Sequence, residues 1–253
     1  GNGSVGSPSV AKNVLSIAGT QNPGLDTIIS FSSIGWAADG RIKPDLAAPA
    51  STSTSRPNTN YGDGAVHCLS TTVQGTSMAS PISAGAAALV REYFAKGWYP
   101  SGAATPADVH PAPSAALVKA VMVNGAARVA NEPVAPSRRQ GWGRVLLEDS
   151  LYFAGEARRL VVVDLVDAFD DETAPVYEIA LTSTGNTAGG NFTATLAYTD
   201  FPALAGAVPA LVNDLDLEVE SPSGAVYRGN VFDASGFSQT GGSADTLNNV
   251  EKA

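Results

Sequence analysis

The sequence predicts an α/β domain followed by an all-β module. Up to Leu151, short apolar runs alternate with turn signals and two helical patterns, the order expected of strands and helices that share one core. Beyond Leu151 the helical spacing disappears and β-type runs take over. The chain has 253 residues, 44% of them hydrophobic, which suffices for a sizeable core in one large domain or two ordinary ones. The boundary is placed so that residues 1–151 form the α/β part and 152–253 the β part.

Taken in order, "NVLSIAG" reads as a buried strand stopped by Gly19, and "DTIISFSSIG" as a strand followed by a turn. "ASTSTSRPNTNYGDG", from Ala50 to Gly64, reads as a surface loop rich in Ser, Thr, Asn and Gly. "AVHCLSTT" then leads, as a strand, to Ser77. Ile82, Gly85, Ala86, Leu89, Val90 and Phe94 mark a helix with a wide buried face, stopped at Gly97, whose small residues suit a place at the domain centre. A second helix begins near Pro113 and ends at Gly125. In the β part the runs are "RRLVVVDLV", "VYEIALTST", "NFTATLAYT" and "LDLEVESPSGAVYRG", and the "SPSG" within the last is a hairpin signal. An antiparallel sandwich fits them best.

Composition excludes several functions. The net charge is −9 and no block of lysine or arginine exists, so neither nucleic acid nor an anionic membrane surface is an expected partner. Cys68 is the only cysteine, which rules out an internal disulfide and a thiolate metal cluster; its half-apolar setting favours a strand position over a catalytic one. No apolar run approaches the roughly 20 residues that span a bilayer. The opening "GNGSVGSPSVAKNVLSIAGT" resembles a loop entering a buried strand, and the end "NNVEKA" lacks a closing strand, so the expectation is a chain cut at both ends.

Ser77 raises the central chemical question. A serine hydroxyl is a weak nucleophile without a base, an orienting carboxylate and an oxyanion site. At the start of a buried helix, its free backbone N–H and the helix dipole would stabilise a developing oxyanion. The competing reading is that Thr76 or Ser77 merely caps the helix, as these residue types often do. Gly75-Thr76-Ser77-Met78-Ala79 also approaches the G-x-S-x-G elbow of α/β-hydrolases, with alanine in place of the last glycine; His110, in the proline-rich "DVHPAPS", would then have to be the base.

"GTSMASP", Gly75 to Pro81, resembles the serine motif of the subtilisin-like serine proteases, usually G-T-S-M-A-x-P. "GSPSVAKNVLSIAG", "FSSIGWAADGRIKPDLAAPA" and "GWGRVLLEDSL" agree with further segments of that family in order and spacing, although Trp36 replaces a proline and Ala50 a glycine of the usual pattern. "LAYTDFPA", "LVNDLDLEVESPSGAVYRGN" and "NNVE" resemble consecutive segments of the C-terminal jelly-roll β-barrel carried by the alkaline subtilisins. The resemblance implies a subtilisin-like parallel-sheet domain followed by an incomplete jelly roll. It implies that Ser77 is the nucleophile, that its N–H belongs to the oxyanion hole, and that Gly75, Thr76 and Met78 meet the substrate. Met78 would be the oxidation-sensitive position.

In that family the catalytic Asp and His and the oxyanion Asn lie upstream of the segment matched by Gly1 to Gly19. Asn2 fits a loop position better than the oxyanion role, and neither His67 nor His110 falls at the family's histidine motif. A lone fragment of this kind is expected to be inactive.

Asp214 and Asp216 alternate along "NDLDLE" and share a face of a strand, and "SADTLNNVE" adds Asp245, Asn248 and Glu251. These oxygen donors suit Ca²⁺, which the resemblance implies for the barrel around Asp216 and Asp245. The expected metal ligands are therefore Asp214, Asp216, Asp245 and Asn248, against a simple solvated acidic face.

The leading expectation is a secreted, extracellular serine endopeptidase, a monomer when complete, acting on protein or peptide substrates. The alternatives are a non-catalytic calcium-stabilised binding module or pseudoprotease, and an α/β-hydrolase esterase.

Overall fold

The computed structural model describes residues 3–21, 26–56, 69–165, 175–180 and 191–253. Asn2, His67 and Cys68 lie outside the described residues.

At the centre of the α/β part, β1 (Ile17–Thr20) runs parallel to β2 (Leu46–Pro49), with Ile17 opposite Leu46 and Thr20 opposite Pro49. Both strands are short and Ala/Gly-rich, so the elements above them approach closely. A Cβ on Gly19 would meet Ala50 Cβ at 2.7 Å and Ile29 Cγ2 at 3.1 Å. The segment around Trp142 extends this sheet edge: Ala47 N–H donates to Gly143 O at 2.8 Å and Val145 N–H to Ala47 O at 2.9 Å. Gly141 makes the approach possible at φ 59°, where a Cβ would collide with Pro44 O at 2.2 Å.

From β2 the chain passes Ala50 into β3 (Ser51–Arg56), which pairs antiparallel with β4 (Leu69–Gln74). The first half of the expected Ser/Thr-rich loop is thus a strand: Ser and Thr tolerate the exposed face of a two-stranded ribbon, and the ladder with β4 satisfies their backbone groups. "DTIISFSSIG" instead forms only an isolated bridge, Ile28 to Thr20.

Helix α1 (Thr76–Ala95) packs on β1 and β2, and α2 (Ala115–Asn124) packs beside it. The buried stripe of α1 is Ala79, Ser83, Ala86, Val90, Tyr93 and Phe94. Ile82 and Leu89, expected inside, are 39% and 52% exposed, and Gly85 faces open space. The stripe is narrower than the sequence suggests because only one side of α1 meets the sheet and α2. Gly97, at φ 70°, ends the helix, with Gly97 N–H on Phe94 O and Trp98 N–H on Tyr93 O. A short helix, α3 (Leu147–Ser150), follows.

In the β part, β5 (Thr195–Ala197) pairs antiparallel with β9 (Val250–Lys252), while β6 (Glu218–Glu220), β7 (Val226–Phe232) and β8 (Ser238–Thr240) form a three-stranded antiparallel sheet. The β6–β7 hairpin turns at the expected "SPSG", where Ser221 N–H donates to Ala225 O at 2.9 Å and Gly224 takes φ 80°. Residues 158–165 and 175–180 carry no strand, although the sequence reads as β there. An apolar β-type run becomes a strand only beside a partner edge, and these segments have none among the described residues.

The two parts share contacts and core. Val250 of β9 is buried in the same cluster as Val90, Phe94, Leu117 and Met122. Lys12 Nζ donates to Asp200 Oδ2 at 2.6 Å, and Lys252 Nζ donates to Val123 O and Asn124 O at 3.1 and 3.0 Å, at the C-terminal end of α2. No described helix is long and apolar enough to cross a membrane.

Candidate active site at the start of helix α1

Ser77 stands at the second position of α1, directly after a strand and a glycine. Gly75 N–H is fixed by Ala50 O at 2.8 Å, and Met78 N–H closes the first helical turn on Gly75 O at 2.9 Å. Gly75 is the N-cap residue, at φ 157° and ψ 154°, and among the described residues no side chain caps this helix. The cap explanation of Ser77 therefore fails on geometry. Where the fold needs a serine cap it places one elsewhere: Ser114 Oγ accepts the Leu117 N–H at 2.9 Å at the start of α2.

The Ser77 side chain is exposed, Met78 and Thr76 beside it are half-buried, and Ala79 is fully buried beneath. Pro81 sits in the second turn, so the Ser77 carbonyl lacks the helical N–H that would otherwise reach it four residues on. The Ser77 N–H is one of the orphan donors of the helix start. Hydroxyl, free N–H and positive dipole end thus meet at one exposed corner, the arrangement a serine nucleophile needs on the oxyanion side.

What the corner lacks, among the described residues, is a base. His110 is bound to the opposite end of α1: its N–H donates to Phe94 O at 3.0 Å and its ring meets Phe94 edge-on at 6.4 Å. Phe94 lies 17 residues beyond Ser77, about 25 Å along the helix axis. His110 Nε2 instead lies 3.0 Å from Asp164 Oδ2. Burial alone would raise the Asp164 pKa, but hydrogen bonds from Ser114 and His110 hold it below the usual carboxylate value. An esterase triad of Ser77 with a downstream His110 is excluded by this distance.

The four expected metal ligands are only partly brought together. Asp214 titrates higher than an ordinary aspartate because it is desolvated and faces the charges of Asp216 and Asp245. Asp245, however, is occupied: Oδ1 accepts N–H groups of Leu247 and Asn248, and Oδ2 accepts the amides of Asn230 and, at 2.7 Å, Asn248. Asn248 Oδ1 accepts the Ile42 N–H at 2.8 Å. Among the described residues no three His, Cys, Asp or Glu side chains converge as a metal site. Asp245 and Asn248 thus act as loop scaffold, because an Asx turn and the seam to the α/β part use their oxygens. Glu251, the further oxygen donor of "SADTLNNVE", lies deeper than the spacing suggests: it is 1% exposed, its Oε2 accepts the Leu217 N–H at 2.8 Å, and its Oε1 has no partner among the described residues. Burial, reinforced by the three aspartates, raises its pKa to about 8.

Comparison with known proteins supports the reading of the first part. The model of the Subtilase family matches residues 1–143, more than half of the chain. The chain belongs to the subtilase family. Curated relatives include "Serine protease/ABC transporter B family protein tagD" of Dictyostelium discoideum, 28% identical over 89% of this chain and 15% of its own length, and tagB of the same organism, 28% identical over 88% of this chain and 14% of its own length. "Serine protease AprX" of Bacillus subtilis is 37% identical over 34% of this chain and 22% of its own length. The chain thus spans a small fraction of these relatives. A solved structure, "Structure of Prenylagaramide maturation protease PagA", aligns with TM-score 0.42 and 20% identity over 57% of this chain and 43% of that one.

Proposed function

We propose that this subtilase chain supplies the nucleophile of a serine endopeptidase. Ser77 Oγ attacks the substrate carbonyl, a base outside these 253 residues takes its proton, and the backbone N–H of Ser77 receives the oxyanion. The base then returns the proton to the leaving amine, and water releases the acyl group. Gly75, Thr76 and Met78 form the adjoining wall against a protein or peptide substrate. The observation that carries this reading is an exposed serine at the start of a helix that no side chain among the described residues caps.

We place the catalytic Asp, His and oxyanion Asn outside this chain. The test is covalent labelling with a fluorophosphonate probe, run on these 253 residues and on the complete protein. Labelling of the complete protein alone, at Ser77, supports the reading. Labelling of neither makes the chain a binding module or a pseudoprotease.

The remaining assignments belong to the same proposal: a division at residues 151 and 152, an incomplete jelly roll in the second part, secretion, and a monomeric complete enzyme. A structural Ca²⁺, expected on Asp214, Asp216, Asp245 and Asn248, would rest mainly on Asp214 and Asp216, because Asp245 and Asn248 already spend oxygens on loop and seam hydrogen bonds. Calcium titration should raise the melting temperature of the complete protein, and Asp216→Asn should remove that rise. A flat titration refutes the cation.

A further inference from the structure

Between the segment that leads into β2 and the start of β9 lies a small cavity of about 10 Å³, lined in part by Arg41, Lys43, Asp45, Trp142, Asn248 and Asn249. That is room for roughly one water-sized group. Arg41 is 7% exposed; its Nε donates to Asp39 Oδ2 at 2.7 Å, but its Nη1 has no acceptor among the described residues. A guanidinium keeps its charge, so this is a buried cation with an unmet donor, which costs free energy until an acceptor arrives.

The charges around it point to the sign of that acceptor. Lys12, Arg41, Lys43 and Lys119 are all buried, and the carboxylates paired with them are Asp39, Asp45 and Asp200, one fewer than the cations in this set of ion pairs. Asp45 is engaged elsewhere: it takes Lys43 Nζ at 2.6 Å, Lys119 Nζ at 3.2 Å and the Ser16 N–H at 2.7 Å. Lys43 Nζ uses two of its three protons, on Asp45 and on Val14 O. Burial first, then the charges of Lys119 and Arg41, lower the Lys43 pKa to about 8 against the pull of Asp45. Asp245 keeps its negative charge behind Asn248, whose amide stands between it and the cavity, and its oxygens bond neutral N–H groups of Asn230, Leu247 and Asn248.

We propose that this cavity binds a small monovalent anion, chloride, on Arg41 Nη1 beside Lys43. Bound there, the anion gives Arg41 Nη1 its missing acceptor and fastens residues 41–45 of the α/β part to residues 248–250 of the β part. Ile42 N–H on Asn248 Oδ1 already bridges the same seam.

The test is a melting curve of the complete protein in sodium chloride against sodium gluconate at constant ionic strength. Chloride should raise the melting temperature saturably, by about 5 °C or more at 100 times its dissociation constant. Arg41→Met should abolish the difference. Crystals of the unsubstituted protein grown in bromide give a second readout that does not depend on the variant folding, with an anomalous peak expected beside Arg41 Nη1. Equal melting in both salts, or density for water alone at that position in bromide, overturns the proposal.

Discussion

Two alanine substitutions separate a nucleophile from a cap. Ser114 Oγ holds the Leu117 N–H at 2.9 Å, so Ser114→Ala removes a cap and should cost about 1 kcal/mol, within a range of roughly 0.5 to 2. Ser77 is exposed at the second position of a helix whose N-cap is Gly75 and which no side chain among the described residues caps. Alanine is the better helix former, so Ser77→Ala should leave stability within about 0.5 kcal/mol or raise it slightly. The two serines are expected to differ by about 1 kcal/mol in stability and in the opposite sense in chemistry. Ser114→Ala should retain fluorophosphonate labelling, and Ser77→Ala should lose all of it. Urea unfolding of the complete protein, read by circular dichroism, measures the first quantity, and gel fluorescence after labelling measures the second. A loss of 1 kcal/mol or more in Ser77→Ala would show that the hydroxyl supports the helix, and undiminished labelling would place the nucleophile elsewhere.

Three further predictions concern the platform under Ser77. Gly19→Ala would place a methyl 2.7 Å from Ala50 Cβ and 3.4 Å from Thr76 Cγ2, and should destabilise by about 1 to 3 kcal/mol in urea unfolding while lowering peptidase turnover of the complete protein. Asp45→Asn leaves the buried Lys43 and Lys119 without their shared carboxylate, a loss of about 3 to 5 kcal/mol by the same measurement. Asp200 is desolvated, which favours its proton, yet Lys12 and the N–H groups of Val212 and Asn213 hold its pKa below 3.8. A carboxyl depressed in the folded state contributes stability that is complete above the unfolded value and drains as pH falls through the folded one. Unfolding free energy should therefore decline below about pH 4, and Asp200→Asn should flatten that part of the profile.

Local signals made much of this structure legible. Gly97 and Gly125 end the two long helices where a terminal glycine should stand, and "SPSG" turns the β6–β7 hairpin. Ser77 was legible through a seven-residue motif, because a serine next to a helix start carries its chemistry in a short stretch of chain. Nonlocal features escaped. The strand at Ser51–Arg56 exists because β4 supplies a ladder, and nothing in "STSTSR" announces it. The exposure of Ile82 and Leu89 depends on which neighbours cover α1, not on their spacing along it. Asp245 and Asn248 stand in the sequence as oxygen donors of "SADTLNNVE", but the amides they bond, from Asn230, from the backbone and from Ile42, are not visible in that stretch. Glu251 stands among the same donors, but its burial comes from β9 and the Leu217 N–H, which the spacing does not announce.

The burial of charge links these parts. Asp45 precedes β2, and β2 leads through Ala50 O to Gly75 N–H and so to the start of α1. Lys119 ties α2 to the same carboxylate, and its Nζ also donates to Lys12 O, while Lys12 reaches across to Asp200 in the β part. A buried pair is costly to break and adds little when intact, so a chain of such pairs acts mainly by fixing position. The β part is then not a passenger on the α/β part: Val250 fills the core under Val90 and Phe94 of α1, and Asp200 fixes the lysine that borders Lys119. Any displacement of β9 or Asp200 reaches the helix that presents Ser77 through two or three direct contacts, which is why their effect should be read on the serine's reactivity as well as on stability.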